Sequence, residues 1–276
     1  MTDRRTQIGP IIGAAFVVLY TIFPVLWIVS LSFKSAAEIP TSQKFLPKAW
    51  TWENYETAFS TNLFTSALRN SLGISLIATL ISVILATLAA YAIARLEFPG
   101  KRIVLAAALA IAMFPVVSLV PPLFDIWRTI GLYDTWPGLI IPYMSFTLPL
   151  SIWVLSAFFR EIPWEMEEAA QVDGATAWQA FRKVIVPLAA PGVFTAAILT
   201  FFFAWNDFVF GISLTSTEAA RPVPAALAFF TGASQFQQPA GAISAASVIV
   251  TVPIIIIVLL FQRRIVAGLT SGAVKG

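Results

Sequence analysis

The chain has 276 residues, of which 58% are hydrophobic and only 11% are charged. Soluble globular domains contain about 25% charged residues, so this composition predicts an integral membrane protein. The chain has no Cys and no His, which excludes disulfides, thiol catalysis and the commonest protein ligands of metals. For the same reason we expect no metal site. The net charge of +3 comes from basic residues near span ends, so we expect no nucleic-acid binding.

Six apolar segments are each long enough to cross a bilayer, which takes about 20 residues of helix. They predict an all-α polytopic protein that forms a single transmembrane domain over residues 1–276. The predicted spans cover about 8–33, 66–94, 103–124, 138–159, 190–212 and 242–261, with a polar tail over 262–276. The first span is too long for the apolar core of a signal peptide, so we expect it to be retained.

Small residues and prolines mark the spans. The second predicted span has a small residue at every fourth position, which lets another helix pack closely in lipid. This stripe consists of Ala78, Ser82, Ala86, Ala90 and Ala94. We expect Pro115 to interrupt the third span and Pro121-Pro122 to end it. Prolines inside the later spans are compatible with simple kinks and with gating hinges alike.

A charged insert at 160–189 separates the fourth and fifth spans and predicts two short helices. Pro163 suits the first position of a helix, and acidic residues follow it, where the helix dipole favours them. Gly174 predicts the end of this helix, and Thr176 the N-cap of a second one that Pro187 ends. The apolar face of the second helix is predicted to comprise Trp178, Phe181 and Ile185.

The distribution of Lys and Arg predicts which side of the membrane each loop faces. Six spans place both termini on one side. With the termini in the cytoplasm, the inner segments hold eleven of the 17 basic residues. These are Arg4, Arg5, Arg95, Lys101, Arg102, Arg160, Arg182, Lys183, Arg263, Arg264 and Lys275. We therefore expect a protein of the cytoplasmic membrane whose insert and termini face the cytoplasm.

The insert contains a spaced motif. Glu168-Ala169-Ala170 is followed by three residues, Gly174, nine residues and then Val184-Ile185-Val186-Pro187. This resembles the EAA motif of permease subunits of ATP-binding-cassette (ABC) importers, in which Ile and Leu stand where this chain has Val184 and Val186. The resemblance implies a coupling site made of Glu168, Ala169, Ala170, Asp173, Gly174 and Pro187. In it Glu168 supplies a carboxylate for a basic partner, and Gly174 permits the sharp turn between two helices.

Other segments resemble the maltose-type carbohydrate permeases of that family, notably 90–101, 205–208 and 262–276. The resemblance implies a type I permease fold and import of a disaccharide, for which trehalose is the best candidate. It also implies a homologous second permease, two ATPase subunits and an extracytoplasmic sugar-binding lipoprotein. No G-x-x-x-x-G-K-[ST] motif occurs, so we expect ATP and Mg on the ATPases and neither cofactor nor catalysis in this chain.

The fifth predicted span holds the candidates for a sugar pathway. Asp207 is the one carboxylate that we place inside a span, beside Asn206, and such a charge needs a cavity or a partner. The pair lines the sugar pathway or holds the span to a neighbouring helix. Phe201, Trp205 and Phe208 fall on one helix face, which suits either stacking on a sugar ring or ordinary packing.

The outer loop at 213–240 is uncharged around Gly232, Ser234, Gln235 and Gln237. By position alone, the resemblance implies that these residues contact the binding protein. Two alternative functions remain open. An ion-coupled secondary carrier is disfavoured by the lack of paired charges inside the spans. A membrane-embedded enzyme is disfavoured by the lack of His and Cys.

Overall fold

The computed structural model describes residues 8–230 and 239–271, and the regular structure in these ranges is helical. A π-helical turn (Phe181–Ile185) joins the eighth helix to the ninth. The α-helices are α1 (Ile8–Ser32), α2 (Glu53–Ser60), α3 (Asn62–Arg95), α4 (Lys101–Ala112), α5 (Val116–Ile130), α6 (Trp136–Glu161), α7 (Glu165–Val172), α8 (Ala177–Ala180), α9 (Val186–Leu188), α10 (Ala190–Asn206), α11 (Val209–Leu214), α12 (Val223–Leu227) and α13 (Ala240–Ser271).

The chain packs as two compact units. The first unit contains α1, α2 and the first part of α13. In it the ring of Phe33 lies 5.0–5.2 Å from those of Trp50, Trp52 and Tyr55. The buried amide of Asn54 donates hydrogen bonds to two carbonyl groups at the end of α1. The second unit contains most of α3, the helices from α4 to α11 and the last part of α13.

Four helices of the described chain are long and apolar enough to span a membrane, and there are six spans if each of two bent pairs counts as one. The pairs are α4 with α5, bent by 89°, and α8–α9 with α10, bent by 73°. The first pair corresponds to the third predicted span, whereas the second joins the end of the predicted insert to the first part of the fifth predicted span. The all-helical membrane fold is therefore confirmed, with two of its spans broken.

The end of the third span was predicted wrongly. Pro121 and Pro122 lie inside α5, which continues to Ile130. Each proline removes one backbone donor, but membrane helices tolerate prolines as kinks when neighbouring groups satisfy the freed carbonyls, so the pair does not stop α5. The interruption predicted at Pro115 is confirmed, because α4 ends at Ala112 and α5 begins directly after Pro115. The loop that follows α5 is correspondingly shorter than predicted and covers 131–135.

Other boundaries also differ from the prediction. The polar loop predicted at 34–65 contains α2, and the loop predicted at 213–240 contains α12. The last helix extends to Ser271, ten residues beyond the predicted sixth span. Apolar length therefore underestimates the last helix, because a helix can continue into water after its apolar segment ends.

The predicted stripe of small residues forms the packing surface of α3. Ala78, Ser82, Ala86 and Ala90 are completely buried, and Ala94 is half-buried. The hydroxyl groups of Ser82 and Thr147 lie 3.3 Å apart, which adds a polar contact between α3 and α6. On its other sides α6 packs against α4 and α10. The stripe thus brings α6 close to α3, and α6 becomes the central helix of the second unit.

Candidate functional site

The insert folds into two short helices, as predicted, but the first begins later than expected. Pro163 lies before the helix, Trp164 is the N-cap and α7 begins at Glu165. The preceding Ile162 is extended, so the chain leaves α6 and turns before α7 starts.

Gly174 ends α7 as predicted. Its φ angle is +88°, a conformation that glycine adopts without steric cost. The amide of Ala175 donates to the carbonyl of Ala170, and that of Gly174 donates to Gln171, which completes a Schellman motif. Thr176 then caps α8 through a reciprocal pair of hydrogen bonds with Gln179. Local sequence signals therefore determine the turn between the helices.

Two faces of α7 have opposite environments. Glu167 is buried, with 5% of its surface exposed. Six residues of this helix are exposed, and four of them lie on the other side, namely Glu165, Glu168, Ala169 and Val172. At 100° per residue these four centre roughly opposite Glu167. The motif residue Glu168 therefore points away from the second unit, and Val172, which is 87% exposed, offers an apolar surface next to it.

The buried face of α7 is held by the last turn of α3. The hydroxyl group of Tyr91 donates a hydrogen bond to Oε1 of Glu167. Arg95, which is 5% exposed, donates from Nη2 to the carbonyl of Ile162 and lies 4.5 Å from the centre of the Trp164 ring. These contacts fasten both the start and the middle of the first insert helix to one span. Sequence reasoning missed Glu167, because nothing local distinguishes it from Glu168.

The second half of the insert differs from the prediction at one residue. Phe181 and Ile185 are buried, but Trp178 is 60% exposed. The π-helical turn begins at Phe181 and changes the angular spacing of the side chains, so the three residues do not form one face. Pro187 does not end the helix either, because it lies inside α9, and the bend comes after Leu188.

Aromatic contacts connect the second half of the insert to two spans. The ring of Tyr91 lies 4.6 Å from that of Phe181 and 6.0 Å from that of Phe159. These residues belong to α3, the π-helical turn and α6. The same buried cluster contains Ile185 and Ala189. Tyr91 therefore touches both halves of the insert, through its hydroxyl group on one side and its ring on the other.

The fifth span breaks at Asp207, between α10 and α11. The carboxylate of Asp207 accepts hydrogen bonds from the hydroxyl group of Tyr143 and the amide of Gly211, both at 2.9 Å. A longer bond of 3.4 Å comes from the amide of Phe210. Asp207 thus caps α11 and joins it to α6, as the packing interpretation predicts. Asn206 is exposed and donates to the carbonyl of Phe202 in its own helix.

The predicted aromatic face of the fifth span does not form. Phe201 and Trp205 are buried and stack with ring centres 5.4 Å apart. Phe208 lies beyond the end of α10 and is 46% exposed, because the helix stops at Asn206. In this conformation the first two rings pack inside the protein and only Phe208 offers a surface to a ligand. A role for these residues in the sugar pathway stays a prediction.

Two further predictions concern ligands. The residues expected to contact a binding protein, Gly232, Ser234, Gln235 and Gln237, lie outside the described part of the chain. Among the residues that the structure describes, no three His, Cys, Asp or Glu side chains cluster in a way that could hold a metal ion. The features that the structure does define are the insert and the break at Asp207.

The family model for binding-protein-dependent transport system inner membrane components matches residues 82–271, which include the insert and Asp207. The chain belongs to this family. It is 62% identical over 276 residues to the trehalose transport system permease protein SugB of Mycobacterium tuberculosis, covering 100% of both chains. It is 40% identical over 270 residues to the trehalose/maltose transport system permease protein MalG of Thermococcus litoralis, covering 96% of each.

The fold of this permease matches a chain of a solved ABC importer. The crystal structure is that of a bacterial ABC transporter involved in the import of the acidic polysaccharide alginate. The TM-score is 0.83 at 24% identity, and the match covers 95% of this chain and 98% of the other. The permease family and the membrane fold predicted from the motif are therefore confirmed, and the permease is a multi-pass membrane protein.

Proposed function

We propose that this permease is one transmembrane subunit of an ATP-driven importer that takes a disaccharide from an extracytoplasmic binding protein. Trehalose is the expected substrate. The proposal is supported by the likeness over the whole chain to a trehalose permease and by the likeness to a trehalose/maltose permease. The expected complex also contains a homologous second permease and two ATPases, which bind ATP and Mg. This chain itself would bind no cofactor and catalyse no reaction.

One observation supports the docking of an ATPase most directly, namely the two-sided environment of α7. Its inner side is fixed to α3 through Glu167, whereas its outer side presents Glu168 and Val172 to the surroundings. A helix that is anchored on one side and exposes a carboxylate and an apolar side chain on the other is suited to bind a second protein. Glu168 would pair there with a basic side chain of the ATPase.

The contacts of the insert suggest how movement reaches the spans. Closure of the ATPases would displace α7, and Tyr91 with Arg95 would carry this displacement to α3. Phe181 would carry it to α6, since it lies in the same buried cluster as Leu155 and Phe159 of that helix. The end of the insert leads directly into α10, whose far end is connected to α6 by Asp207 and Tyr143. All four helices would then shift together between outward-open and inward-open states.

The proposed orientation follows from the excess of Lys and Arg in the insert and in the segments on the same side. Eleven of the 17 basic residues lie on that side. The insert, the N-terminus and the C-terminus would therefore face the cytoplasm, where ATP is available. Accessibility of single cysteines is a direct test, because the chain has no native Cys. A cysteine at Ala177 should react with a membrane-impermeant thiol reagent only in inverted vesicles.

The function is tested with the assembled complex in proteoliposomes that contain radiolabelled trehalose and binding protein on one side and ATP on the other. We expect uptake that requires ATP, and roughly tenfold less uptake for Glu168→Ala, since a contact to a charged group contributes about 1.5–3 kcal/mol. Glu56→Ala is the matched control, because Glu56 is also the exposed fourth residue of an eight-residue helix. Uptake by this chain alone under an ion gradient would instead indicate a secondary carrier. Uptake of other disaccharides but not of trehalose would show that trehalose is not the substrate.

A further inference from the structure

A cavity of about 530 Å³ lies between the end of α3, the helix α4 and the last turns of α6. Three of its lining residues are basic, namely Lys101, Arg102 and Arg160, and none is acidic. Lys101 forms an ion pair at 3.0 Å with Glu97, an exposed residue of the preceding loop. Within the described residues neither Arg102 nor Arg160 has a carboxylate partner. The cavity therefore concentrates positive charge, and two of its three cations lack a counterion.

The walls that α4 and α6 contribute to the cavity both change from charged to apolar in the same direction along the span. Leu109 on α4 lies eight residues from Lys101, and Trp153 on α6 lies seven residues before Arg160. With a rise of 1.5 Å per residue, both apolar side chains are about 10–12 Å deeper along the span than the cations. The helices run in opposite directions, so the cations of both lie at the end that carries the insert. The cavity is thus basic at the membrane surface and apolar towards the membrane centre.

The helix α4 leaves room for a ligand in this cavity. None of its residues is buried, and its packing is against α6. Its first turn contains no acidic residue, so the positive end of the helix dipole adds to the charge of Lys101 and Arg102. A neutral disaccharide would leave these charges uncompensated. A ligand with an anionic head and an apolar tail would satisfy both parts of the cavity.

We propose that the cavity binds one anionic phospholipid of the leaflet that faces the insert. The headgroup phosphate would lie between Arg102 and Arg160, and an acyl chain would lie along Leu105, Leu109 and Trp153. Basic cavities between spans on the cytoplasmic side are suited to such headgroups. The proposal rests on the proposed orientation of the insert, but it does not depend on which sugar is transported.

Native mass spectrometry of the assembled complex tests the proposal, because it counts retained lipids without measuring transport. The complex is purified with phosphatidylglycerol or with zwitterionic phosphatidylcholine. We expect a retained phosphatidylglycerol, and roughly 30-fold weaker retention after the double change Arg102→Gln and Arg160→Gln, since two charges are lost. Arg128→Gln is the control, because Arg128 lies in the last turn of α5 and does not line the cavity.

Three results would overturn the proposal. Equal retention by the double variant would place the lipid elsewhere. Displacement of the lipid by inorganic phosphate alone would show that the site takes a free anion and that the apolar wall is irrelevant. Cross-linking from a photoreactive residue at Leu105 to another subunit rather than to lipid would identify the cavity as a protein interface. None of these results depends on sugar uptake, so loss of uptake would bear only on the proposed function.

Discussion

The hydroxyl group of Tyr91 donates a hydrogen bond to Glu167, and this contact joins the last turn of α3 to the inner face of α7. The two residues are 76 positions apart in the chain. The other carboxylate oxygen, Oε2, is buried and has no hydrogen-bond partner among the described residues. The buried carboxylate of Glu167 therefore depends on Tyr91 for its hydrogen bond, and a change of either residue should loosen the insert from α3.

Tyr91→Phe should reduce the amount of sugar imported per ATP hydrolysed. The ring remains to pack against Phe181, but the carboxylate of Glu167 loses its donor, which costs about 1.5–3 kcal/mol in a buried site. The ratio of uptake to ATP hydrolysis in proteoliposomes measures this effect, which a merely structural role would not change. Tyr55→Phe is the control, because Tyr55 makes a similar hydroxyl contact at 2.8 Å with Ser32 in the other unit. An unchanged ratio would exclude Tyr91 as a positioning residue.

Gly174→Ala should uncouple the importer, and Gly174→Asn should restore most of its coupling. An added Cβ atom meets nothing within 4 Å, so the cost is conformational, about 1–2 kcal/mol for a left-handed residue, and Asn tolerates this conformation better. The measurement is the ratio of uptake to ATP hydrolysis. Gly131→Ala is a matched control, with a φ angle of +76° and equally open space at the end of α5. Equal effects of both alanine variants would attribute the loss to stability alone.

Asp207→Ala should destabilise the permease, whereas Asp207→Asn should be tolerated. Alanine leaves the hydroxyl group of Tyr143 and the amide of Gly211 without their acceptor, at about 1–3 kcal/mol each. Asparagine keeps one carbonyl oxygen as an acceptor. Thermal unfolding in detergent measures the stability, and the KM for sugar distinguishes packing from transport. A raised KM in a stable Asp207→Asn protein would place Asp207 in the sugar pathway.

The loop between α5 and α6 should lose stability in acid. Partial burial raises the pKa of Asp134, but hydrogen bonds from the side chains and amides of Thr217 and Ser216 outweigh it and hold the pKa below its usual value. The charged form is therefore favoured in the folded state. Its contribution is present above the pKa of the unfolded chain and is lost as the pH falls through the lower, folded value.

Thermal unfolding as a function of pH tests this prediction. Asp134→Asn should lower the unfolding temperature near neutral pH and flatten its dependence on pH below the usual range of Asp. Thr217→Val, which keeps the carboxylate but removes one donor at 2.5 Å, should show an intermediate profile. If the profiles of the wild type and Asp134→Asn run parallel, another group is responsible for the acid sensitivity.

Local signals allowed the turn of the insert to be predicted from the sequence. Gly174 and Thr176 act through their own backbone and nearest neighbours, and the stripe from Ala78 to Ala90 acts through its spacing alone. The orientation of Glu167 could not be predicted in the same way, because its partner Tyr91 belongs to a distant span. The break at Asp207 was missed as well, although Asp is a common N-cap residue, because the apolar residues on both sides of Asn206-Asp207 made 190–212 look like one continuous span.

The π-helical turn at Phe181–Ile185 also determines how the following helix is oriented. Each residue of an α-helix accounts for about 100° of rotation, so a single residue added to or deleted from this turn would rotate the helical residues that follow by about that angle. Such a change would turn Ala196 and Phe201, both now buried, away from their present neighbours. A one-residue insertion or deletion in this turn therefore re-registers an entire span, although it lies outside the bilayer-crossing segment and leaves every side chain of that span intact.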